Sequence, residues 1–259
     1  MNIVVCVKQV PDTAAERKLR AEDSRLDRDA VDGLINELDE YAIEEALLLR
    51  EAHGGEVTAL TMGPEQASES VRKALSMGVD KAVHLVDDAL AGSDALGTSY
   101  ALAQVLGMLG FDLVVVGAES TDARMGAMAA MLAERLGVAQ LSLASKVDVD
   151  GTVVRIHRQS EDESQVVEGS LPAVVGVVEK INEPRYPSFK GIMAAKKKPV
   201  TTMSLADAGI DASLVGLVNA ATEVVDFADR PPRQAGTIVK DEGDGGVKVA
   251  EFLVANKFI

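Results

Sequence analysis

Three histidines, one cysteine and 41 carboxylates are the material for acid, base or nucleophilic chemistry here, and their spacing forms none of the usual constellations. His53 stands beside Gly54 at a helix end, where an imidazolium favours the terminal dipole. His84 lies within a short strand and His157 within a pair of polar strands. GxSxG and HExxH are both missing. Cys6 falls in the middle of a buried strand and reads as a small hydrophobe. A lone cysteine also excludes an internal disulfide and a cysteine metal cluster. Nothing nominates a nucleophile or a general base, so a binding or carrier role fits better than a hydrolase.

Ligand chemistry is offered by three segments that follow apolar strands: Lys8–Asp12 (KQVPD), Met62–Pro64 (MGP) and Gly117–Gly126 (GAESTDARMG). Open α/β sheets bind ligands beyond the carboxyl ends of their strands. These loops combine small residues, a few polar side chains and helix starts with free N–H groups, which suit a phosphate. None is a P-loop or a GxGxxG fingerprint. Asp122 either accepts hydrogen bonds from a ribose or adenine or caps the following helix. Asn36 and Asp39 resemble a relative of the capping box at one helix start, with Glu44 nearby, and structural duty is the better reading for them.

A second functional candidate is Asn182–Pro199, NEPRYPSFKGIMAAKKKP, which follows the apolar run AVVGVVE. It gathers Arg185, Lys190, Lys196, Lys197 and Lys198 in a chain of net charge −15. Its prolines forbid an ordinary helix or inner strand in its first half. They also lower the entropy lost when a loop is fixed on a partner. Phe189, one of five phenylalanines, reads as an exposed anchor for an apolar pocket. Ile192 and Met193 begin a helical turn that fixes the base. The lysines steer an acidic partner from the rim.

The elements that must position these loops alternate between continuous apolar strands and amphipathic helices. Strands are expected at Ile3–Val7, Glu56–Met62, Lys81–Val86, Asp112–Gly117 and Ala173–Val178. Helices are expected at Leu34–Arg50, Glu65–Met77, from Asp94 to about Leu109, and roughly Gly126–Arg135. This alternation predicts an α/β fold, a mostly parallel open sheet with helices on both faces. Shorter, more polar strands are expected at Leu143–Val149, Val153–Gln159 and Gln165–Val167, with a turn at Asp150-Gly151. Beyond Val200 the pattern predicts a short helical piece and an extended arm whose apolar tip, FLVANKFI, docks on its own domain or another subunit. The domains are therefore 1–199 and a C-terminal arm, 200–259.

The 41 acidic against 26 basic residues argue against nucleic-acid binding, which needs a cationic face. No apolar stretch reaches the ~20 residues that span a bilayer, and no signal-peptide layout precedes the first strand. The chain reads as cytoplasmic and not membrane-embedded.

Several segments together resemble the β-subunit family of electron transfer flavoproteins. They are VCVKQVPD (Val5–Asp12), NELDEYAIEEAL (Asn36–Leu47), MGP and VRKALSMGVDKA within Met62–Ala82, DLVVVGAESTD (Asp112–Asp122) and AERLG (Ala133–Gly137). The most specific is VEKINEPRYPSFKGIMAAKKKP (Val178–Pro199), and the likeness covers essentially the whole chain. The resemblance implies an adenine-nucleotide-binding, Rossmann-like domain that buries an AMP, with an arm that packs on an α subunit holding most of one FAD. It implies an electron carrier of fatty acid β-oxidation, without a catalytic acid or base. Such a carrier takes electrons from acyl-CoA and related dehydrogenases and passes them to a membrane quinone oxidoreductase or another acceptor. Carried over by position, the cofactor-binding residues are Val7, Lys8, Asp12, Leu38, Met62, Gly63, Val116, Gly117, Asp122, Met125, Gly126 and Ala127. Partner recognition falls to Arg185, Tyr186, Phe189, Ile192, Met193, Lys196, Lys197 and Lys198.

Two departures matter. Where many relatives have a DxxTGQ-like segment, this chain has Asp122-Ala-Arg-Met125-Gly126-Ala127, so phosphate binding falls to backbone N–H groups, with Arg124 in reserve. Relatives also often place an aromatic near Leu38 or Thr13, so stacking on the flavin is absent here. Two alternatives stay open: an electron-bifurcating β subunit with a second FAD at the AMP position, and a nucleotide-binding regulatory or stress-type protein without a redox role.

Overall fold

A period of two decides the centre of the molecule. Ile3, Val5 and Val7 enter one core cluster while Val4 enters another, because successive strand side chains point to opposite faces. Leu113 and Val115 against Val114 and Val116 repeat the division, and so do Ala173 and Val175 against Val174. A strand apolar on both faces is stable only between two layers of helix. Each fully buried Val, Leu or Ile contributes about 1.5–3 kcal/mol.

The computed structural model describes residues 1–159, 163–228, 231–232, 236 and 238–259. In chain order the elements are β1 (Asn2–Cys6), β2 (Gln9–Pro11), β3 (Gly33–Ile35), α1 (Glu37–His53), β4 (Glu56–Met62), α2 (Ser68–Met77) and β5 (Lys81–Leu85). There follow α3 (Ala95–Leu109), β6 (Leu113–Gly117), α4 (Met128–Leu136), β7 (Ala139–Ala144), β8 (Lys146–Asp150), β9 (Val153–Gln159), β10 (Ser164–Ser170) and β11 (Ala173–Val177). The last are α5 (Phe189–Ala195), β12 (Val200–Met203) and α6 (Gly245–Ala255). A seven-stranded sheet runs in the order β12-β5-β4-β1-β6-β11-β7, with every neighbouring pair parallel. Helices α1 and α2 cover one face, and α3 and α4 cover the other. This is the expected doubly covered parallel sheet.

Chain contacts divide the described residues into Met1–Val225 and Asp226–Ile259. The second unit contains α6, which runs as a helix to Ala255 where an extended tip was expected; the Phe252 and Phe258 rings lie 6.4 Å apart. Among the described residues no helix is long and apolar enough to cross a membrane.

Several boundaries differ from the sequence reading. Leu34 and Ile35 are not helical: they pair antiparallel with Val10 and Gln9. The helix therefore starts at Glu37, with Glu37, Asp39 and Glu40 in its first turn, where carboxylates suit the dipole. Leu143–Val149 is two strands, not one. Leu143 takes a positive φ of 63°, and Ser145 N–H then donates to the His157 carbonyl at 2.7 Å, turning the chain out of the main sheet. β7 joins β11 in the parallel sheet, while β8 joins β9 and β10 in a three-stranded antiparallel one. Residues just past 199 are regular: β12 forms the sheet edge beside β5, and Leu205, Ala208, Ile210 and Val215 enter the core.

Helix α1 comes very close to the sheet at the end of β6. A Cβ on Gly117 would stand 2.6 Å from Asp39 Oδ1 and 2.9 Å from Leu38 Cβ, both on the first turn of α1. Gly117→Ala is expected to destabilise the chain by about 1–3 kcal/mol, the usual effect of overpacking. Urea denaturation reads this directly; an unmoved midpoint would mean that α1 slides at little cost.

Candidate functional site

Strand order reverses at β1: the chain first moves to β4 and β5, then returns to β6 on the other side. The carboxyl ends of β1 and β6 therefore flank the switch-point crevice, where ligands of such sheets bind. Lys8 leaves β1 there. Its backbone N–H donates to Asp39 Oδ2 at 2.8 Å, and its carbonyl accepts from Asn36 N–H at 2.8 Å. Asn36 Nδ2 donates to Asp39 Oδ1 (2.9 Å) and to the Glu119 carbonyl (3.0 Å), while Asn36 Oδ1 accepts from Thr121 N–H (3.0 Å). Asn36 occupies the helix-cap position but makes no side-chain cap bond. The expected capping box is instead a staple joining α1 to the loops after β1 and β6. Burial pushes the Asp39 carboxyl up to about 7, while donors from Asn36, Lys8 and Gly117 and the Lys8 charge oppose the rise. Burial, with the Asp39 charge, also pushes the Cys6 thiol up to about 12, which disfavours the thiolate. Cys6 sits at the end of β1 rather than its middle.

The second feature is a three-part ion cluster. Lys8 Nζ donates to Asp122 Oδ1 (2.8 Å) and Ser120 Oγ (3.2 Å); Arg28 Nη2 donates to Asp122 Oδ2 (2.6 Å). The Asp122 side chain is only 2% exposed. Burial alone raises its pKa, but the Lys8 charge and the bonds from Lys8, Ser120 and Arg28 overcome that and hold it well below the usual carboxylate range. Asp122 does not cap α4, whose cap position is Ala127. Arg17 adds a bond to the Thr121 carbonyl at 2.6 Å. Arg17 and Arg28 thus tie the segment between β2 and β3 onto the loop after β6. Asp12 closes that segment's base: its N–H donates to the Asp32 carbonyl, and its carboxylate accepts from Ala14 N–H.

The remaining predicted positions lie around the same edge. Val7 and Val116 are buried, and Leu38 packs half-buried against Gly117. Met62 ends β4; Gly63 N–H donates to the Leu85 carbonyl, and the Gly63 carbonyl lies 3.1 Å from His84 Nε2. Arg124 and Gly126 both have positive φ, and Met125 is exposed. Backbone N–H groups of Met125, Gly126 and Ala127 have no acceptor among the described residues. Thr121 Oγ1 is buried and has no hydrogen-bond partner among the described residues. Two cations sharing one carboxylate, in the same loop as free N–H groups and an unpaired hydroxyl, suit an anion. Arg17 and Arg28 were not foreseen here, Asn36 was read as structural, and Thr121 only as part of the loop Gly117–Gly126.

The residues of Asn182–Pro199 form a separate site. Tyr186 is 93% and Phe189 81% exposed, and Ile192, Met193, Lys196 and Lys197 also face solvent. α5 begins after Ser188, whose Oγ accepts from Gly191 N–H at 3.1 Å. Arg185 and Lys198 do not join the exposed set. Arg185 Nε and Nη2 donate to the two oxygens of Glu44 at 2.7 and 2.8 Å, and Nη1 to Glu51 at 2.7 Å. Lys198 Nζ donates to the carbonyls of Leu75 (2.9 Å) and Val79 (2.5 Å) at the end of α2.

Comparison with known proteins agrees with this arrangement. The family described as "Electron transfer flavoprotein domain" matches residues 24–208. "Electron transfer flavoprotein subunit beta" of Mycobacterium tuberculosis is 51% identical over 264 residues, covering 100% of this chain and 99% of that protein. The proteins of the same description from Mycobacterium leprae and Clostridium acetobutylicum are 50% and 37% identical, over 100% and 99% of this chain and 99% and 97% of their own lengths. Fold, loop and full-length likeness converge: the chain belongs to the electron transfer flavoprotein family, among its β subunits.

Proposed function

We propose that this chain is the β half of a cytoplasmic heterodimeric electron carrier. With an α subunit holding most of one FAD, it takes electrons from acyl-CoA or related dehydrogenases and passes them to a membrane quinone oxidoreductase or another acceptor. The observation that carries this reading is the loop of Asn182–Pro199: an apolar tip, Tyr186 and Phe189, held in solvent on a base that faces inward. Exposed aromatics on an ordered loop are anchors for a partner's pocket. Because residues 200–215 belong to this chain's own sheet and core, the segment that packs on the α subunit is the second unit, Asp226–Ile259, with α6.

The carboxyl edge of β1 and β6 serves as an AMP pocket. Its residues fit a phosphate. N–H groups of Met125, Gly126 and Ala127 would hold the oxygens, with Lys8 and Arg28 setting a positive field. Asp122, committed to both cations, keeps them in place rather than reading the ribose. The flavin, when bound, supplies the redox chemistry. The task of this chain is to orient partners and exclude water, so no residue must move a proton.

Cofactors released from the co-purified heterodimer should be one FAD and one AMP, by absorbance and mass spectrometry. Two FADs and no AMP would instead make this a bifurcating β subunit. A β chain purifying alone and without flavin would revive a regulatory nucleotide-binding role. Phe189→Ala should keep the flavin but weaken dehydrogenase docking by about 2 kcal/mol, roughly 30-fold in apparent KM. Transfer kinetics unchanged across dehydrogenase concentrations would sink the docking reading.

Asp122 also predicts an acid-side effect. Its folded pKa lies below the ordinary 3.8, so its stabilisation is complete above about pH 4 and is lost as pH falls through the folded value. Asp39 has the opposite sign. Its folded value of about 7 exceeds 3.8, so its contribution is lost as pH rises from about 4 to 7. In a melting series from about pH 2 to 8, Asp122→Asn should lower stability near neutrality and flatten the limb below about pH 4. Its AMP should also dissociate faster. Parallel wild-type and variant curves would refute the assignment.

A further inference from the structure

The docking loop leaves β11 and returns to β12, and its two ends rest on different helices. At the first end, Asn182 Nδ2 donates to the Tyr41 carbonyl and to Glu45 Oε2, both at 3.1 Å. Arg185 then meets α1 at Glu44, on the same turn, and at Glu51, about two turns further along. Its guanidinium grips both oxygens of Glu44, its backbone N–H adds a third bond to Glu44 Oε2 at 3.1 Å, and its remaining amino group reaches Glu51. At the second end, Lys198 closes the last turn of α2. Between them α5 lies so close to α2 that a Cβ on Gly191 would stand 2.6 Å from the Ser76 carbonyl.

Glu44 is the informative member. Its side chain is 7% exposed, so its charge is met by Arg185 and not by water. A buried carboxylate of this kind is tolerated only with a geometrically matched cation, and a planar fork matches it where an ammonium does not. Meeting Glu44 and Glu51 spends the guanidinium inside the molecule. Lys190, Lys196 and Lys197 remain as exposed cations for steering an acidic partner.

We propose that Glu44 is a positioning residue for partner docking: through Arg185 it fixes the direction of the Tyr186–Phe189 tip, with Glu51 and Lys198 as auxiliary anchors. Arg185 and Lys198 act inward and touch no dehydrogenase. This rests on the docking reading above.

The test uses the FAD-loaded heterodimer and a substrate-reduced acyl-CoA dehydrogenase. Glu44→Gln and Arg185→Lys should each raise apparent KM for the dehydrogenase about tenfold, retain the limiting rate at saturation and keep full flavin content. Their double variant should be no worse than either single one, since both break one joint. Hydrogen exchange of residues 183–190 should accelerate in each, while α3 and α4 stay protected. A contact made directly by Arg185 predicts another pattern: Arg185→Lys partly preserves docking, and Glu44→Gln leaves it intact. That pattern overturns the proposal, as does unchanged exchange in the loop. Should Glu44→Gln fail to assemble, Arg185→Lys and Glu51→Gln carry the same readouts. Phe189→Ala, run alongside, separates the two ideas. If it leaves KM unchanged, the docking reading fails; if it raises KM while the Glu44 and Arg185 variants do not, only the positioning role fails.

Discussion

The seating of α1 across the carboxyl ends of β1 and β6 is the constraint on which both sites depend. The helix can approach because residue 117 has no side chain, and it is held there by the Asp39 carboxylate accepting from Lys8 N–H. Its first turn then lies at the switch-point crevice, where Asn36 ties it to Glu119 and Thr121. Further along, the same helix presents Tyr41, Glu44, Glu45 and Glu51 to the docking loop. A helix is stiff over this length, so one element gauges the geometry of both regions. The site edge and the base of the loop are therefore both referenced to one helix.

The parallel core was legible because its strands are buried on both faces and read as unbroken apolar runs, such as Val4-Val5 and Leu113–Val116. The edges were not. β7 reads AQLSLA and β12 reads VTTM; an edge strand faces a partner on one side only and tolerates polar residues. The pairing of β2 with β3 was also hidden, since its two halves are separated by the whole of residues 12–32 and leave no hairpin signal. Of the candidate site, the loops were placed correctly on one edge because parallel topology sends every strand end the same way. The roles of individual charges were not recoverable. Asp122 finds Arg28 across 94 positions, and Arg185 finds Glu44 across 141, distances at which composition reports charge but not direction.

Charge here is organised locally against a strongly acidic background. The net −15 would repel an acidic partner at low ionic strength. Lys190, Lys196 and Lys197 lie exposed around the apolar tip, so this loop carries the sign opposite to the whole. Within about a Debye length of 8–10 Å at physiological salt the local charges dominate, and beyond it the background is screened. On the proposed docking role, this local charge favours approach along the loop.

What holds that loop is a different question from what aims it. Ordering Asn182 to Phe189 costs about 1–2 kcal/mol per residue in backbone entropy, reduced at Pro184 and Pro187 by their restricted φ. An exposed ion pair contributes about 0–1 kcal/mol, far too little to offset such a sum. Nor does burying Glu44 help, since its desolvation cancels much of the attraction to Arg185. The holding must come from apolar packing. Ile181 before the loop and Ala195 after its tip both lie against the main core cluster. Hydrophobic contact has no preferred direction, however, and would tolerate many settings of the tip. A buried bidentate pair gains little net energy after desolvation but is strict in geometry. Core packing thus fixes the loop to the domain, and the Glu44–Arg185 pair selects one orientation among those that packing permits.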